Sequence, residues 1–214
     1  MSMKLTAIEA LNRLKEGNKR FVEGRSAMRD EEHPERRNAL VGGQNPFAII
    51  LGCSDSRVPA ELVFDQGLGD LFVIRVAGNI VAPSQVGSVE FAASRFGTRL
   101  VVVLGHTNCG AINATVSELE QPTEQRSPNL KSIVSRIRPS VEALMDAGVC
   151  EDRETLIRHA GRANIRASCN QLRHGSQLLE ELIDNEGLLV VGAEYCLEAG
   201  EVVFFDGVSG LAQA

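Results

Sequence analysis

Three short apolar runs constrain the architecture more than anything else in the chain. Phe47-Ala48-Ile49-Ile50-Leu51, Leu71-Phe72-Val73-Ile74-Arg75-Val76 and Leu100-Val101-Val102-Val103-Leu104 are almost unbroken in hydrophobic residues. A strand reads this way when both of its faces are buried, as in a parallel sheet covered by helices. A fourth run spans residues 188 to 193, and Val202-Val203-Phe204-Phe205 reads as a possible antiparallel edge strand.

Helical patterns separate the runs. From Thr6 to Gly24, Ile8, Leu11, Leu14, Phe21 and Val22 fall near helical spacing, and Gly24 supplies a stop. Pro59 suits the first turn of a helix. Residues 85 to 96 form another helix, with Val86, Val89, Phe91 and Ala92 as its apolar face. Residues 129 to 148 and 153 to 185 read as helices behind a loop containing Pro122 and Pro128. Residues 25 to 46, with Pro34, Gly42, Gly43 and Pro46, read as an irregular connection. The glycines of DQGLGDLF (65 to 72) precede a strand instead of opening a helix, so they mark a tight turn and not a phosphate loop. Alternating strands and helices imply an α/β fold, a mainly parallel sheet flanked by helices. The length of 214 residues suits one domain, 1–214, with residues 1–24 as an N-terminal helical arm.

The formal net charge of -6 argues against a dedicated nucleic-acid binder. Arg36-Arg37 and the group Lys131, Arg136 and Arg138 read as solvated. The N-terminal stretch has charges scattered through it, unlike a secretory signal. No segment approaches the ~20 apolar residues of a membrane helix. The expectation is a cytoplasmic protein without membrane or nucleic-acid partners. An odd set of five cysteines in such a chain points to reduced thiols or metal ligands.

In parallel sheets ligands collect beyond the carboxyl ends of the strands. Two runs lead straight into chemistry there: CSDSRVP (53 to 59) after the first and GHTNCG (105 to 110) after the third. His106 and Cys109 form an H-x-x-C step whose side chains can point at one centre, and Cys53 at the equivalent strand end can complete it. Two thiolates and one imidazole with an open fourth position is a catalytic zinc arrangement, since structural zinc sites use four protein ligands. The competing reading is of unrelated core thiols, because cysteine is among the most buried residues. Cys150, Cys169 and Cys196 show no ligand pattern and read as small buried or free thiols. His33, His159 and His174 read as surface or helix residues.

These motifs resemble those of the β-carbonic anhydrases, C-x-D-x-R followed by H-x-x-C. They stand here as Cys53-Ser54-Asp55-Ser56-Arg57 and His106-Thr107-Asn108-Cys109. The likeness runs from about Leu11 to about Phe205 and includes GNKRF, GGQNPFAIILGCSDSRVPAELVFDQGLGDLFVIRVAGN and VVVLGHTNCGA. It implies a zinc enzyme interconverting carbon dioxide and bicarbonate, assembled as a homodimer or a multiple of dimers, with the N-terminal helix reaching across to a partner subunit. Cys53, His106 and Cys109 match the family's Zn2+ ligands, and Asp55 and Arg57 its catalytic pair. Asp55 would orient the zinc-bound hydroxide and Arg57 would hold Asp55. In a closed form Asp55 would itself take the fourth position.

Gln44, Phe72, Ala77, Phe91 and Gly110 are the expected substrate-binding residues on the same resemblance. Phe91 stands where the plant-like members have a tyrosine. The subgroup with a second, non-catalytic bicarbonate site carries a tryptophan three residues before the first cysteine. Ile50 occupies that place and the chain has no tryptophan, so the likeness does not extend to that site. Two other functions compete: a hydrolase of carbonyl sulfide or carbon disulfide on the same scaffold, and a non-catalytic zinc or thiol sensor.

Overall fold

Successive residues of a strand face opposite sides of a sheet, and here each side has its own helical cover. In a computed structural model, which describes residues 4–26, 34–122, 127–148 and 150–210, the strands are β1 (Ala48–Gly52), β2 (Leu71–Arg75), β3 (Leu100–His106), β4 (Leu189–Tyr195) and β5 (Val202–Asp206). Ala48, Ile50, Leu100, Val102, Val191 and Ala193 meet α1 (Ala7–Val22) and the short α3 (Ala60–Val63) on one side. Ile49, Leu51, Val101, Val103 and Val190 meet α4 (Pro83–Arg95), α7 (Arg153–His174) and α8 (Gln177–Glu186) on the other. Two-sided burial explains the continuous apolar runs: every residue of β1 and of β3 is buried.

The strand order is β2-β1-β3-β4-β5, parallel except for the antiparallel β4–β5 edge pair. This is the α/β architecture expected from the sequence. α5 (Gly110–Glu120) and α6 (Pro128–Ala147) pack with α7 beyond the carboxyl ends of the strands, around a third cluster that includes Cys53 and Cys109. No described helix is long and apolar enough to cross a membrane.

Four local expectations are corrected. Pro34 opens a short helix, α2 (Pro34–Leu40), inside the stretch read as irregular, where its fixed φ suits a first turn. Arg36 of that helix is not simply solvated, because it donates to the Leu68 carbonyl and to Asp70. The helix expected over 153 to 185 is two helices: Gly175 has no room for a side chain beside the Gln171 carbonyl, and Ser176 caps α8 by accepting from the Leu179 amide. On α4 the buried stripe is Val89, Ala92 and Ala93. Phe91 lies two residues, about 200°, from Val89 on a helix turning 100° per residue, and is 54 % exposed. His159 and His174 are exposed on α7, as expected, and His33 lies outside the described residues.

Thr6 caps α1 in a capping box with Glu9. The helix can sit this close because Gly17 has no Cβ: one built there would lie 1.8 Å from the Phe64 carbonyl oxygen. The next residue, Asn18, donates to the carbonyls of Val63 and Gly200 and accepts from the Val202 amide. Within the chain α1 therefore lies on its own sheet.

Cys169 is fully buried between α7 and β4, and burial pushes its thiol up to about 12. An unfolded thiol ionises near pH ~8.5, so the unfolded chain loses this proton first. Stability from this group is complete below pH ~8.5 and is lost as pH rises toward the folded value. Native protein treated with N-ethylmaleimide at pH 8 is expected to leave Cys169 unlabelled by peptide mass mapping, and urea-unfolded protein to label it. Equal labelling in both states would refute this placement.

Candidate metal centre

β1 and β3 are parallel neighbours in the register Gly52↔Leu104, so their carboxyl ends open on one edge. Cys53 is the first residue past β1 and His106 is the last of β3. Asn108 turns the chain with φ +54°, a conformation asparagine tolerates better than most residues. Cys109 then sits at the N-cap of α5.

The ligand atoms of Cys53, His106 and Cys109 lie within 4.8 Å of one another, and all three residues are buried. The two sulfurs are 4.0 Å apart, and the thiols are free. Sulfurs bound to one tetrahedral ion at ~2.3 Å lie ~3.8 Å apart, so the spacing suits a shared metal. The imidazole is set for the same task. Nδ1 lies 2.9 Å from the Thr107 carbonyl, which fixes the proton there, while buried Nε2 has no hydrogen-bond partner. A buried nitrogen left unpaired is costly, and a metal ion would use its lone pair. Among the described residues no fourth donor joins the group, and two sulfurs with one imidazole fit Zn2+ in an open site.

The electrostatics agree. The hydrogen bond from Cys109, with further support from His106 and the Gly78 amide, holds the Cys53 thiol below its usual range against the opposing effect of burial. Cys109 is pushed well up by Cys53 and by its own burial. Metal binding would favour both sulfurs as thiolates and release the protons they hold. Burial lowers His106, but the neighbouring Cys53 sulfur and the Thr107 carbonyl outweigh it and the net direction is upward.

Asp55 and Arg57 complete the same edge. Arg57 donates to Asp55 from Nε (2.9 Å), Nη2 (2.8 Å) and its backbone N (3.0 Å). This fork holds the Asp55 carboxyl well below the usual carboxylate range. Asp55 Oδ2 lies 3.8 Å from His106 Nε2, on the rim of the three-ligand cluster. The loop is anchored by Arg75 of β2, whose guanidinium donates to the carbonyls of Cys53 (3.0 Å) and Asp55 (2.6 Å). In the sequence Arg75 reads as one residue of an apolar run, and a lone arginine at the end of such a run is the signal that marks it.

The other expected residues divide into two groups. Ala77 stands in the one-turn 3₁₀ helix Ala77–Asn79 beside Cys53, and Gly110 opens α5 beside Cys109. Gln44, Phe72 and Phe91 are not brought to the cluster within one chain. Phe72 pairs with Ile49, four residues before Cys53 and so ~13 Å back along the strand. It forms an aromatic group with Phe91 and Phe96, ring centroids 5.7 to 6.2 Å apart. Gln44 is exposed ahead of β1.

Residues 48–202 match the family model described as carbonic anhydrase. The chain belongs to the carbonic anhydrase family. It is 37 % identical over 210 residues, 96 % of each chain, to carbonic anhydrase 2 of Mycobacterium tuberculosis. Among solved structures it is similar to the β-carbonic anhydrase CafA of Aspergillus fumigatus, with TM-score 0.74 and 26 % identity over 86 % of this chain and 87 % of that one. It also shares its fold with a tetrameric β-carbonic anhydrase of Sordaria macrospora, TM-score 0.73 and 21 % identity over 90 % and 94 % of the two chains. With its parallel sheet and C-x-D-x-R and H-x-x-C strand ends, this carbonic anhydrase is of the β class.

The cluster predicts about one zinc ion per chain by metal analysis, and Cys109→Ser is expected to retain only a small fraction of it. Near-full zinc in that variant would refute Cys109 as a ligand.

Proposed function

We propose that this β-carbonic anhydrase is a zinc enzyme that hydrates carbon dioxide reversibly to bicarbonate and a proton, with residues 1–214 acting as one domain. The observation that carries the reading is the orphaned His106 Nε2 facing two thiol sulfurs, beside a carboxylate already locked by an arginine. Zinc held by Cys53, His106 and Cys109 would supply an acidified water as the nucleophile.

Asp55 does the orienting. Ionised, it is acceptor-only, so it takes a hydrogen bond from the nucleophile's O–H and leaves the oxygen lone pair aimed outward. Arg57 keeps Asp55 ionised and prevents its rotation. With its O–H held by Asp55, the nucleophile would form one C–O bond while a C=O π pair moves onto the oxygen that becomes the bicarbonate oxyanion, and the proton given up by the water would go to solvent. Release of Arg57 would free the same carboxylate to take the open position, which is the closed form.

A second copy of the chain supplies the remaining wall. Gln44, Phe72 and Phe91 lie at the far end of their own sheet, so they serve a metal centre only across an interface. The surface that carries them suits one: β2 is an edge strand, and the Phe72-Phe91-Phe96 group lies beside it with Phe91 largely exposed. An unpaired edge next to exposed aromatic area favours association. The relative from Sordaria macrospora is tetrameric, and a homodimer or multiple of dimers is the assembly inferred for this chain. Across such an interface Gln44 would donate to the developing oxyanion, and Phe72 and Phe91 with Ala77 would form an apolar wall for a non-polar gas, with Gly110 at its margin.

Two measurements test the reading. Asp55→Asn is expected to keep its zinc and lose roughly 10²-fold or more in carbon dioxide hydration, and a wild-type rate would remove Asp55 from the mechanism. Carbonyl sulfide and carbon disulfide run alongside decide the substrate. Phe91→Glu is expected to lower the sedimentation mass to that of one chain and to depress hydration with zinc retained; an active, fully assembled variant would overturn the shared pocket.

A further inference from the structure

Three helices converge on one backbone N–H beside Cys53. Gly78, in the Ala77–Asn79 turn after β2, donates from its amide to Cys53 Sγ at 3.3 Å. Its φ is +71°, and a Cβ built there would lie 2.8 Å from Ile137 Cδ1 of α6 and 2.9 Å from Ala111 Cβ of α5. Two helices thus close on the glycine α-carbon, and only glycine combines this φ with this space.

The third helix holds the turn by hydrogen bonds. Asn164 of α7 donates its side-chain amide to the Gly78 carbonyl at 2.8 Å, and Ser168, one turn further on, donates its hydroxyl to the Asn79 carbonyl at 3.1 Å. Residues four apart share a helix face, so α7 grips consecutive carbonyls of the turn. Asn164 is 2 % exposed among Ala160, Ile165 and other apolar residues of α7. A buried amide on such a face is costly unless its bonds are made; here the bond goes to the residue whose N–H faces the sulfur.

We propose that Asn164 is a positioning residue for the metal centre: with Ser168 it fixes the Ala77–Asn79 turn, so that the Gly78 N–H stays on the Cys53 sulfur and sets how much charge that sulfur gives a bound ion. The inference rests on Cys53 being a zinc ligand. A hydrogen bond to a metal thiolate draws charge from the sulfur, and groups outside the ligand shell tune the ion in this way.

Cobalt(II) substitution reads the sulfur directly, through its thiolate-to-cobalt charge-transfer band. Asn164→Ala is expected to move the band to longer wavelength, because a sulfur without its N–H gives up an electron more readily, and to weaken cobalt binding about ten-fold. Ser168→Ala is expected to shift both in the same direction by less. Leu172→Ala, at a buried position eight residues further along α7, should lower thermal stability and leave band and affinity unchanged. A wild-type band and affinity in folded Asn164→Ala overturns the inference, as does the same shift in Leu172→Ala. If Asn164→Ala does not fold, an unshifted band in Ser168→Ala overturns it. Absence of any thiolate band in the wild-type protein would overturn the ligand reading itself.

Discussion

The parallel pairing of β1 with β3 is the constraint on which the rest depends. It brings two carboxyl ends to one edge, so residues more than fifty positions apart in sequence meet without any long loop having to find its place. A slip of one residue in this register would turn the side chains of the strand that moved toward the wrong helices. The hydrophobic packing that stabilises the sheet therefore also fixes where sulfur and imidazole stand. Neither α1 nor α4 touches the cluster, yet each enforces it by covering one face of β1 and β3.

Rigidity at the centre comes from hydrogen bonds made by backbone groups more than from the ligands themselves. Arg75 ties down two carbonyls of the loop carrying Cys53 and Asp55, and Thr107 fixes the imidazole from behind. These contacts come from β2 and from the β3–α5 turn, so the site inherits the order of the surrounding scaffold. Such preorganisation lets an oriented carboxylate act without rearranging at the moment of reaction.

What was legible in the sequence follows from the range of the interactions involved. β1 and β3 were readable because burial on both faces leaves a continuous apolar run, and Cys53, His106 and Cys109 because strand ends are where a parallel sheet collects reactive groups. The substrate came only from resemblance to a family. The break between α7 and α8 is hidden because Gly175 and Ser176 are weak signals beside a long amphipathic pattern, and the exposure of Phe91 follows from its angle around α4, which hydrophobicity alone does not give. Arg75 offers only its charge at the end of an apolar run, and Asn164 offers nothing: its partner is a carbonyl 86 residues away, and a carbonyl leaves no mark in a sequence.

Asn18 has a consequence for the order in which the chain folds. It joins α1 to Val63 and, across 182 and 184 positions of sequence, to Gly200 and Val202. Contacts of such separation carry the full entropy of closing a long loop before they return anything. The hydrogen bonds that lock α1 at this end are therefore among the last to form. During synthesis the apolar face of α1 can settle on β1 and β3 first, and a chain interrupted before Val202 would carry α1 without its final latch.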